Sequence, residues 1–97
     1  MDKKIVEFLK KYDISDNEIK DIITIAPMMD VVKYCELVEN CIVLTKFGYP
    51  KSELDFLLLS NPNIFVKSSF DLEKELMSLK KQYGDIEIIL KNNPTII

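Results

Sequence analysis

The chain contains no arginine, no histidine and no tryptophan, and it has only two glycines and two cysteines in 97 residues. Without histidine there is no imidazole to act as general acid or base, and no His-containing zinc site. Two cysteines cannot complete a Cys-rich zinc site either. Gly48 and Gly84 stand alone, so no glycine-rich loop cradles a phosphate. The lack of arginine removes the planar forks that grip phosphate oxygens. With 16 acids against 13 lysines the net charge is −3, a balance that opposes strong non-specific binding to nucleic acid. Long apolar runs are missing too. Cys41 to Leu44 and Phe56 to Leu59 fall far short of the roughly 18 to 20 residues that span a bilayer, so no membrane segment is expected. The start, Met1-Asp2-Lys3-Lys4-Ile5, resembles neither a secretory signal nor an organelle transit peptide, which predicts a cytoplasmic protein. Carboxylate pairs such as Asp16 with Glu18, and Glu73 with Glu75, read as solvated helix surface. Neither an enzyme nor a cofactor is expected.

What is present is a folded composition, 47% hydrophobic and 30% charged, in a chain of single-domain length. Its apolar residues follow helical spacing almost throughout. A first helix over about 2–12 carries Ile5, Phe8, Leu9 and Tyr12 on one face. Ser15-x-x-Glu18 is a capping box that opens a second helix, with Ile19, Ile22, Ile23 and Ala26 inward, ended by Pro27. Asp30 is predicted to cap a long third helix to about Phe47. Its apolar residues form one row at 31, 34, 35, 38, 41 and 42 and a second at 37, 44 and 47, so it should lie buried between neighbours. Cys35 and Cys41, about 120° apart on that helix, are expected to be unpaired buried thiols. Gly48 closes the helix in the left-handed conformation. A fourth helix runs from Pro50 to about Ser60, a 3₁₀ turn follows at Asn63-Ile64-Phe65, and Ser68-x-x-Asp71 resembles another capping box for a fifth helix to Tyr83. Gly84 stops that helix, and Asp85 caps a last one to about Lys91. The fold predicted is all-α.

The segments repeat. Leu9, Ile14, Ser15, Glu18, Ile19, Ile22, Ile23 and Pro27 recur 35 residues later as Leu44, Tyr49, Pro50, Glu53, Leu54, Leu57, Leu58 and Pro62, without a gap. A third copy holds Leu79, Lys81, Gly84, Ile86, Ile89, Leu90 and Pro94, its shorter turn bringing the last two prolines to 32 residues apart. Such a period marks helical units that hide their apolar faces only against one another. The unit Leu44-x-x-x-Gly48-Tyr49-Pro50-x-x-Glu53-Leu54-x-x-Leu57-Leu58-x-x-Asn61-Pro62-x-Ile64-Phe65 resembles the repeat of the mitochondrial transcription termination factor (mTERF) family. In the first copy Asp13 replaces the glycine. The resemblance spans nearly the whole chain and implies a right-curving stack of helix-turn-helix repeats, a short α-solenoid with 3₁₀ turns after the repeat prolines. The three repeats would cover about 1–30, 31–66 and 67–97. In that family the stack presents a basic concave surface to nucleic acid, which implies a role linked to transcription. No base-reading residue of the family maps onto this chain.

Lys11, Lys46 and Lys81 occupy equivalent positions near the ends of the first helices of the units, with Lys10 and Lys80 beside two of them. Stacking would align these five into a basic column able to follow DNA or RNA. Lysines in a last helical turn also complement the carbonyl end of the helix without any ligand, and Glu18, Glu53 and Asp85 fit that simpler role at the opposite ends. The alternative is a protein-interaction or self-assembling scaffold module that does not bind nucleic acid. A short stack leaves apolar ends, and Met28-Met29 and Ile96-Ile97 are the residues through which a homodimer would form. Tyr12, Phe47, Tyr49, Phe65, Phe70 and Tyr83 fall beside turns at the ends of apolar faces, which points to packing before base stacking.

Overall fold

Six α-helices and no strand make up the computed structural model, which describes residues 1–97. They are α1 (Lys3–Lys11), α2 (Asp16–Ile25), α3 (Tyr34–Lys46), α4 (Leu54–Ser60), α5 (Ser69–Tyr83) and α6 (Ile86–Asn92). Short 3₁₀ turns at Pro27–Asp30, Lys51–Glu53 and Pro62–Val66 lie between them. α1 packs on α3 and α3 on α5, while α2 packs on α4 and α5 on α6. The 3₁₀ turns of Pro27–Asp30 and Pro62–Val66 also touch each other.

Helix ends recur in conformation as well as in sequence. Asp13 (φ 59°), Gly48 (φ 99°) and Gly84 (φ 95°) are the residues with positive φ, and they close α1, α3 and α5. After α1 the Asp13 N–H donates to the Lys10 carbonyl and the Ile14 N–H to Leu9. After α3 the Gly48 N–H donates to Thr45 and the Tyr49 N–H to Leu44. Both are left-handed endings sealed by a buried apolar residue, Ile14 in one and Tyr49 in the other. The second helix of each pair stops ahead of its proline, because the residue before a proline is pushed out of helical geometry. Ala26, Asn61 and Asn93 adopt one extended bend, with φ of −129°, −151° and −147° and ψ of 82°, 72° and 79°. In each case the N–H reaches back to Ile22, Leu57 or Ile89, and the carbonyl accepts from Met29, Ile64 or Ile96.

Helix starts depart further from expectation. The capping box of Ser15 and Glu18 forms in both directions. Ser68, however, makes no side-chain cap bond, so the second box does not form. α3 begins at Tyr34, because Pro27–Asp30 winds as a 3₁₀ turn and delays the helix. Asp30 therefore caps nothing there; its carboxylate pairs with the Met1 amine at 2.9 Å. The cap of α3 comes from far away in sequence. Asp2 accepts the Lys4 N–H on one oxygen at 2.9 Å and the Tyr34 N–H on the other at 3.0 Å, so one carboxylate serves the starts of α1 and α3. Pro50 precedes a 3₁₀ turn, and α4 is correspondingly shorter than expected.

The core is built from Ile5 and Leu9 of α1, Ile22 of α2, Leu37 and Leu44 of α3, Leu54, Leu57 and Leu58 of α4, Ile64 and Phe65, and Leu72 and Leu76 of α5. α3 buries its second apolar row and leaves much of the first outside, the reverse of a helix enclosed on all sides. Val31 is 68% exposed and Ile42 61%, and Cys35 is exposed, which corrects the expectation of two buried thiols. Asn40 takes the place of an apolar residue in the buried row, with its side-chain amide donating to the carbonyls of Ile64 at 3.1 Å and Lys67 at 2.8 Å. Among the aromatics Tyr49 and Phe65 are buried, whereas Phe70 and Tyr83 are each 64% exposed. Phe70 lies under the Lys74 ammonium, 4.4 Å from the ring centre.

α6 is tied back by Lys91, whose ammonium bonds both Glu53, before α4, and Glu87, one turn earlier in α6. Those bonds hold the Glu53 carboxyl below its ordinary pKa and raise the Lys91 ammonium above its own. The stabilisation from Glu53 is present above the ordinary carboxylate pKa and is lost as pH falls through the lowered one. That from Lys91 is complete below the ordinary ammonium pKa and fades as pH rises through the raised one. Lys91→Met is expected to reduce the acid-side loss of stability, measured by urea unfolding across the carboxylate range. Gly48→Ala meets no atom but forces an alanine to positive φ, so it should cost about 1 to 2 kcal/mol. Asp13→Gly should instead gain about 0.5 to 1 kcal/mol, since it relieves a non-glycine residue of the same conformation, with both shifts read from the denaturation midpoint.

Candidate binding surface

The five lysines singled out by the repeat sit where the helices end, Lys10 and Lys11 in α1, Lys46 in α3, and Lys80 and Lys81 in α5. Their environments differ. Lys10 pairs with Asp16 at 2.5 Å and Lys46 with Glu73 at 2.7 Å. Lys11, Lys80 and Lys81 are exposed and have no carboxylate partner. Two of the five are thus neutralised by neighbouring acids. Of the apolar ends expected to join two copies, Met29 is buried, while Met28 and Ile96 reach solvent.

The outer row of α3 creates a feature the sequence reading placed inside the protein. Tyr34, Val38, Cys41, Ile42 and Thr45 line an open groove of about 540 Å³, and Lys46 lies at its end. Phe8 of α1 contributes one part of the wall, and Lys51 and Leu54 at the start of α4 another. Phe8 is held by its neighbours, 5.2 Å from the Tyr12 ring in a tilted contact and 6.4 Å from Tyr34 edge to face. The Tyr12 hydroxyl donates to the Lys51 carbonyl at 2.9 Å, which fixes the end of α1 to the turn before α4. Six of the nine lining residues are hydrophobic and none is acidic, although acids outnumber lysines in the chain. A smaller pocket on the α2 side, about 420 Å³, carries Glu18 and Asp21. No three metal-ligating side chains converge anywhere.

The spacing of 34, 38, 41 and 42 was visible as an apolar helical face, though Thr45 was not part of it, and nothing local says which of two apolar faces turns inward. The contribution of Lys51 has no sequence signal, because it depends on the α1 to α4 contact. Comparison with family models, with curated proteins and with solved structures gives no match.

Burial pushes the Cys41 thiol up to about 12, so it stays protonated and unreactive near neutral pH, whereas Cys35 on the same helix is exposed. Ellman's reagent at pH about 8 is therefore expected to label Cys35 fast and Cys41 only after denaturation. Cys35→Ser should remove the fast phase entirely, and a second fast thiol in the native chain would contradict the placement of Cys41.

Proposed function

We propose that the chain is a small helical-repeat binding protein that engages another protein through the α3 groove and performs no chemistry of its own. The observation that carries this reading is the outward apolar row of α3, which lines an open groove and leaves Ile42 61% exposed. A groove lined mostly by apolar side chains with a few polar groups is the usual form of a binding site. The architecture we assign is a short right-curving stack of three helix-turn-helix units, similar to the mTERF repeat. The recurring left-handed turns, the recurring stops before proline and the packing of α1 on α3 and α2 on α4 support it.

A second reading, nucleic-acid binding linked to transcription, is favoured by the unpaired Lys11, Lys80 and Lys81. Mobility shift of mixed DNA and RNA at low salt tests it: a shift that disappears when Lys11, Lys46 and Lys81 are changed to Glu would support it, and no shift would end it. For the protein-binding reading, a photo-crosslinking side chain is placed at Ile42 in cells expressing the chain, with one at Met77, exposed on α5, as control. A discrete protein adduct is expected at Ile42 and not at Met77, and it should vanish when Val38→Glu is added. Equal adducts at both positions, or none at Ile42, would reject the groove as the binding surface.

A further inference from the structure

We infer that the groove on α3 receives an acidic amphipathic helix of the partner, about three turns long. This rests on the protein-binding reading and adds the chemistry of the partner. The first support is periodicity. Tyr34, Val38, Cys41 and Thr45 follow steps of four, three and four residues, the seam by which one helix packs along another. From Tyr34 to Thr45 the seam is about 17 Å long at 1.5 Å per residue, the length of about three turns of a second helix. Phe8 and Leu54 give that helix apolar walls beyond α3 itself.

The second support is charge. The groove has Lys46 and Lys51 in its lining and no acid, in a chain whose total charge is −3. Lys51 has no carboxylate partner, and Lys46 shares its charge with Glu73 at 2.7 Å. On α1, Lys4 and Lys11 lie four residues before and three after Phe8, which puts them on its side of the helix. Both are exposed and unpaired. A helix with carboxylates flanking its apolar seam complements this rim. The same groove on a second copy also offers lysines and no acid in its lining, so it is not the charge complement of this surface.

The probe is a synthetic peptide of about 14 residues with leucine at positions i, i+4, i+7 and i+11 and glutamate on the flanks. Its counterpart carries lysine in place of each glutamate. Fluorescence anisotropy with the full chain at physiological salt should show the acidic peptide binding at least about tenfold tighter than the basic one. Ile42→Glu should abolish that binding, and Lys51→Glu should weaken it several-fold while improving capture of the basic peptide. Met77→Glu should leave it unchanged, and thermal unfolding by circular dichroism checks that each variant is folded. Equal or reversed preference, no binding of either peptide, or full affinity in a folded Ile42→Glu would overturn the inference. So would a concentration-dependent dimer lost in Ile42→Glu, since the groove would then hold a second copy. Failure with the peptides while the Ile42 crosslink to another protein persists removes the acidic helix and leaves protein binding standing; failure of both removes both.

Discussion

Short helices create many ends, and every end leaves backbone groups that must find a partner or face water. The helices here are 7 to 15 residues long, so this constraint recurs throughout the fold. Backbone bonds and local caps meet it at most ends, and a few side chains reach across the fold as well. Asp2 takes the first amide of α3, and the Tyr12 hydroxyl takes the Lys51 carbonyl. Asn40 takes two carbonyls around the 3₁₀ turn of Pro62–Val66, and Asn61 donates to Pro94 at 2.8 Å and to Ile97 at 3.4 Å. Each such bond contributes about 0.5 to 1.5 kcal/mol when made, and a buried group left without one costs more. Packing of apolar faces holds the helices together, and these polar bonds tie together segments far apart in sequence.

Stops were legible in the sequence because their causes are local. A proline excludes helical geometry from the residue before it, and Gly48 and Gly84 supply positive φ where a side chain would be strained. Asp13 shows that position matters more than residue type: the repeat puts it where its counterparts are glycine, and the backbone adopts the left-handed turn even so. Starts were less legible. Ser15 and Glu18 act within four residues and were readable, whereas the cap of α3 sits 32 residues upstream in Asp2. Asp30 looked like the local cap, but the 3₁₀ turn at Pro27–Asp30 leaves it short of the helix start at Tyr34, paired with the Met1 amine.

The inversion of α3 has a similar origin. Both rows of the helix are apolar, so periodicity alone describes a helix that neighbours could cover on either side. What distinguishes the rows is Asn40, which falls in register with the second row although its polar side chain suggests a surface residue. Its amide donates to the carbonyls of Ile64 and Lys67, and Leu37, Val43 and Leu44 face inward with it. The richer row then faces out. A buried polar contact thus accompanies the row that faces inward, and the other apolar row is left outside.

The same placement decides what the lysines can do. At the ends of α1 and α3 they complement free carbonyls, and this would hold in any helical protein of similar length. Their further use depends on which acids stand nearby. Asp16 and Glu73 take up Lys10 and Lys46, and Lys11, Lys80 and Lys81 stay without a carboxylate partner. The bond from Tyr12 to the Lys51 carbonyl, meanwhile, brings the end of α1 to the turn where Lys51 meets the groove. Basic charge therefore gathers at one end of an apolar seam, and Lys51, free of any acid, is the group with most to gain from an incoming carboxylate. A polyanion needs evenly spaced cations along its path, whereas an amphipathic helix needs an apolar seam first and charge only at its margin. The α3 surface has the second arrangement.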